Sequence, residues 1–70
     1  MKIEIELVRA GRRDPRALDL PEGSTVRDAL RAAGLFAEGS AVLVDGAPVP
    51  LDRPLAPFER LEIVPTFSGG

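Results

Sequence analysis

The sequence ends Thr66-Phe67-Ser68-Gly69-Gly70, directly after the apolar segment from Leu61 to Pro65, and the Gly70 carboxylate is the group with the clearest chemistry open to it. Residues without side chains pass through a slot too narrow for bulkier ones, and glycine's open φ/ψ map lets the backbone bend to fit. Taken as an extended, flexible tail, residues 66–70 reach roughly 17 Å at about 3.3–3.6 Å each, far enough to enter a partner's active site. An α-carboxylate has a reference pKa of about 3.3–3.7, so at neutral pH it is an anion and a poor electrophile until it is activated. Chain ends also tolerate glycine when they merely fray. The Gly69-Gly70 doublet therefore takes its meaning from whatever fold presents it.

The rest of the chain offers little competing chemistry. Cysteine and histidine are both absent, which removes disulfides, thiolate metal sites, the strong side-chain nucleophile and the usual neutral-pH base. Catalysis by the chain itself, a bound metal and a resident cofactor are not expected. A net charge of −2 argues against nucleic-acid binding, which needs clustered positive charge. The one basic cluster, Arg9, Arg12, Arg13 and Arg16, is interrupted by Asp14 and contains no aromatic residue for base stacking, so it reads as a solvated loop. Met1 to Glu6 alternates charged with apolar residues, unlike a signal peptide. No run approaches the ~20 apolar residues of a membrane span. The expectation is a cytoplasmic protein without a membrane partner, monomeric when free. At 70 residues it is one small domain, of a size at which a single core leaves only about 3–5 kcal/mol of net stability.

The elements that would position the tail follow from hydrophobic period. Ile3, Ile5 and Leu7 alternate with Lys2, Glu4 and Glu6, the pattern of a half-buried strand. Residues 10–15 carry turn chemistry, and Ala17-Leu18-Asp19-Leu20 resumes the alternation, completing a hairpin. Thr25 with Asp28 fits a capping box that opens a helix of about ten residues. Val26, Ala29, Leu30 and Ala33 form its apolar stripe, Arg27 and Arg31 project from another side, and Gly34 supplies the left-handed cap. Leu35 and Phe36 are expected to complete the core. Ala41 to Val44 is a strand, Asp45-Gly46 is a two-residue hairpin turn, and Val49 returns on an edge between Pro48 and Pro50. A loop over 50–58 plugs the core with Leu51 and Leu55. Arg60 to Val64 forms the last strand, with Leu61 and Ile63 inward and Glu62 and Val64 outward.

A hairpin, a helix and returning strands make a two-layer α+β domain over residues 1–65, with residues 66–70 as the tail. Four stretches carry a closer likeness: Ser24-Thr25-Val26-Arg27-Asp28-Ala29-Leu30, the hairpin Val42 to Pro50, Leu55 with Leu61-Glu62-Ile63-Val64-Pro65, and the terminal Gly69-Gly70. Over nearly its whole length the chain resembles the ubiquitin-like β-grasp sulfur carriers related to ThiS and MoaD, including the small archaeal modifier proteins. It departs from that pattern at Pro57-Phe58-Glu59, where many relatives have a glycine-aspartate turn. It departs again at Thr66-Phe67-Ser68, where MoaD proteins typically have Pro-Pro-Val-Ala, which leaves ThiS-like or modifier-like roles ahead of molybdopterin synthesis.

The resemblance implies a mixed four- to five-stranded sheet packed on one main helix. It also implies an ATP-dependent, ubiquitin-activating-type enzyme that joins the Gly70 carboxylate to AMP, ATP being the partner's cofactor and not this chain's. A sulfurtransferase or sulfur-acceptor enzyme would then exchange sulfur through a Gly70 thiocarboxylate. Alternatively a lysine of a target protein takes Gly70, or the domain is a non-covalent interaction module with an idle tail. The partner surface is expected on the sheet face away from the helix, with Leu43, Val64 and Phe67 as its apolar centre and Glu4, Glu6 and Glu62 as an acidic border facing basic residues of the partner.

Overall fold

In the computed structural model, residues 1–66 are described, and Phe67, Ser68, Gly69 and Gly70 lie outside them. The element order is β1 (Lys2–Arg9), β2 (Arg12–Asp19), α1 (Val26–Ala32), β3 (Ser40–Val44), β4 (Ala47–Pro48) and β5 (Arg60–Pro65). The strands form one mixed five-stranded sheet in the order β2-β1-β5-β3-β4. β5 lies at its centre, parallel to β1 and antiparallel to β3. The strand that leads into the tail is thus paired on both sides.

Alternation sets the faces. Ile3, Ile5 and Leu7 from β1, Val42 from β3, and Leu61 and Ile63 from β5 are buried together with Val26, Ala29 and Leu30 of α1. Leu55 is buried and Leu51 packs against the same cluster, so the 50–58 loop plugs the core as its leucines predict. The helix enters through the expected capping box: the Thr25 hydroxyl accepts from the Asp28 N–H, and the Asp28 carboxylate accepts from the Thr25 N–H at 2.9 Å. Gly34 follows the C-cap at φ 76°, as a left-handed terminus requires. With seven residues α1 is shorter than the ten expected.

Three sequence readings give way to the structure. The first turn is two residues, Ala10 and Gly11, at φ 51° and 73°, and not the six-residue segment 10–15. Arg12 pairs with Arg9, and Pro15 sits within β2 opposite Glu6. Proline is tolerated there because β2 is an edge strand with no second neighbour to receive its missing donor. The arginine cluster is consequently strand rather than loop. Phe36 is not core: it is 82% exposed. After Gly34 the chain runs with alternating exposure, Leu35, Ala37 and Gly39 half-buried and Phe36 and Glu38 exposed. Leu35 is fixed inward by its N–H donation to the Leu30 carbonyl at 2.9 Å. With Leu35 packed against the core, Phe36 is left facing solvent.

Candidate functional site

The site is built around the point where the chain leaves the sheet. β5 ends at Pro65, which pairs with Ser40 of β3. Thr66 donates its backbone N–H to the Gly39 carbonyl at 2.9 Å, so the first residue of the expected tail is tied to the segment between α1 and β3. Gly69, Gly70 and Phe67, the residues singled out from sequence for activation and anchoring, fall outside the described residues.

Leu43 and Val64 are half-buried on strands whose alternate residues, Val42 and Ile63, are buried. Both therefore belong to the sheet face opposite α1. Val64 pairs with Ala41, and Leu43 pairs with Glu62 on one side and Pro48 on the other. Leu43 shares a shallow depression of about 290 Å³ with Glu6, Arg13, Asp45, Arg60 and Glu62. The register explains the charge. Glu6 and Glu62 are direct partners across the parallel β1–β5 pair, where like charges repel.

Arg13 resolves that repulsion from the neighbouring edge strand. Its guanidinium pairs with the Glu6 carboxylate and lies 3.2 Å from Glu62. Hydrogen bonds to Glu6 and then Glu62 push the Arg13 pKa further above its ordinary value. Glu4 is paired as well, with Arg60 at 3.0 Å. The acidic border expected to face a basic partner is thus largely matched from within. Sequence spacing alone cannot show this, because the pairing of Arg13 with Glu62 spans three strands.

A second surface flanks the tail root on the helix side. Phe36, Ala37, Glu38, Gly39 and Thr66 line a depression of about 670 Å³. Phe36 also borders an adjoining depression of about 420 Å³, lined by Arg27, Arg31 and Leu35 among others. Among the described residues no group of three or more acidic side chains is placed to hold a metal ion. No helix there is long and apolar enough to cross a membrane.

A family model described as small archaeal modifier protein 2 matches residues 1–65. The chain belongs to that family. SAMP1 from Haloferax volcanii superposes with a TM-score of 0.75 at 26% identity, covering 100% of both chains. An archaeal ubiquitin from Caldiarchaeum subterraneum gives a TM-score of 0.72 at 18% identity over 100% of this chain and 98% of its own, a likeness of fold alone. In sequence the chain is 42% identical to protein RnfH of Cereibacter sphaeroides over 53 residues, 66% of this chain and 62% of that protein. The two-layer α+β domain read from the element pattern, and the ubiquitin-like β-grasp that the resemblance implies, are the fold observed.

In this small archaeal modifier scaffold the departure at Pro57-Phe58-Glu59 acquires a structural meaning. Phe58 has φ 63°, the left-handed region that glycine enters freely and phenylalanine does not. Its N–H donates to the Lys2 carbonyl at 2.7 Å. Glu59 receives both Arg53 guanidinium nitrogens, at 2.9 and 2.7 Å, and the Ala56 N–H at 3.0 Å. The Arg53 hydrogen bonds hold the Glu59 carboxyl below its ordinary range. That bidentate clamp secures the turn that starts β5.

Proposed function

We propose that the chain is a sulfur carrier, a protein cosubstrate whose Gly70 carboxylate is activated by a ubiquitin-activating-type enzyme with ATP. The observation that carries the activation step, which carrier and modifier share, is family membership over residues 1–65. Its support from geometry is the central position of β5, paired to β1 and β3, which fixes where the tail begins. In the proposed sequence the carboxylate oxygen attacks the α-phosphorus of ATP, forming the acyl adenylate and expelling pyrophosphate. A persulfide on the sulfur-transferring partner then attacks the acyl carbon and AMP leaves. A second thiol of that partner attacks the partner's sulfur in the resulting acyl disulfide, leaving a disulfide on the partner and freeing the Gly70 thiocarboxylate. The chain contributes position, with Gly69 and Gly70 threading the active site and Leu43, Val64, Phe67 and Glu62 contacting the partner.

A second reading, conjugation of Gly70 to lysines of target proteins, is favoured by the description of the matching family as a modifier. Incubation with the activating enzyme, ATP and a persulfide donor, followed by intact-mass analysis, separates the two. Replacement of one oxygen by sulfur at the terminus is the result expected for a carrier, and adducts on other proteins the result for a modifier. Deleting Gly70 should abolish both. Adenylation that survives the deletion sinks the mechanism.

A further inference from the structure

Phe36 and Phe58 are the large apolar side chains that stand exposed among the described residues, each at 82%. Phe36 is the one beside the tail root, sharing its depression with Thr66. Its other flank is the depression bordered by Arg27 and Arg31. Neither of these guanidiniums takes part in an ion pair among the described residues. Arg27 stands two residues after the N-cap Thr25, where a cation opposes the helix dipole. Among the described residues that charge is met only by a weak attraction to the Asp28 carboxylate.

Reach decides what must cover this surface. Thr66 is held to Gly39, and four residues, Phe67 to Gly70, follow it. They extend at most about 14 Å at 3.3–3.6 Å each. An enzyme that closes its active site around the Gly70 carboxylate must then lie against the body of this chain around Thr66, where Phe36 projects. We infer that the helix-side flank of the tail root, with Phe36 as an apolar knob and Arg27 and Arg31 beside it, is a second docking surface for the activating enzyme, fitting an apolar socket edged by carboxylates. An exposed aromatic next to arginines is the composition in which interface energy concentrates. This inference rests on the proposed activation of Gly70 and adds a contact on the side of the tail opposite Leu43.

The test is ATP–pyrophosphate exchange by the ubiquitin-activating-type enzyme of the same genome, with this protein as the varied substrate. Phe36→Ala should raise KM about tenfold or more while kcat and the melting temperature hold. Arg27→Glu should raise KM at low salt, with the effect fading as ionic strength grows. An unchanged KM for both variants, alongside loss of exchange on deleting Gly70, overturns this surface and leaves the activation reading standing. Exchange that persists without Gly70 overturns both. Self-association removed by Phe36→Ala with KM unchanged assigns the knob to a second copy and also overturns the inference.

Discussion

At the scale of single residues, Phe58 shows how a side chain and its backbone can disagree. The position has a positive φ, a need that glycine would meet without steric cost. Phenylalanine here is strained by about 1–2 kcal/mol, and at 82% exposure it recovers almost none of that by burial. The turn persists because Glu59 is clamped by Arg53 and by the Ala56 N–H. Phe58→Gly is expected to hold or raise stability, by up to about 1 kcal/mol after the entropy of the added glycine in the unfolded chain is counted. A thermal melt checks it. A large drop in melting temperature means that Phe58 packs more than its exposure indicates.

At the scale of elements, α1 is a seven-residue helix that depends on its ends, since a helix so short gains little from propensity. Thr25→Ala should cost about 1 kcal/mol through loss of the cap, measurable by chemical denaturation. The Asp28 carboxyl is lowered chiefly by the hydrogen bond from the Thr25 N–H, and the Glu59 carboxyl chiefly by Arg53. Both pKa values are depressed on folding, so the stability they confer is complete above their unfolded values of about 3.9 and 4.3 and drains as pH falls through the folded ones. Melting temperature should therefore drop between about pH 5 and pH 2. Asp28→Asn with Glu59→Gln should flatten that drop, and an unaltered acid profile would remove these two groups as its source.

At the scale of the whole molecule, one core serves the helix layer and the sheet layer, including β5, the strand that precedes the tail. Leu30 of α1 and Ile63 of β5 are 1% and 3% exposed and belong to the same cluster. Leu30→Ala or Ile63→Ala should destabilise by about 2–5 kcal/mol, comparable to the whole net stability of so small a domain. Loss of the cooperative melt by circular dichroism is the expected outcome. Retained cooperativity with native stability would mean that the core is not shared in this way. Such variants would lose the tail's presentation together with the fold, which separates them from Phe36→Ala.

Most of the fold was legible in the sequence because its determinants are local. The alternation Ile3-Ile5-Leu7 sets a strand face, Thr25 with Asp28 sets a helix start, and Asp45-Gly46 takes the positive φ values of 52° and 79° that its hairpin turn needs. The terminal Gly69-Gly70 is legible as a narrow, pliant end, and its activation is what the family resemblance implies. Pairing across distant strands and the direction of a side chain leaving a helix are not local properties, and only the tertiary structure decided them. It placed Glu6 beside Glu62 and brought Arg13 to both, changing an acidic border into a matched network. It gave the inward place after Gly34 to Leu35 and left Phe36 to solvent beside Thr66. A hydrophobic residue next to a helix end reads the same in sequence whether it faces the core or a partner, since the course of the backbone after the helix, set by packing, chooses between them.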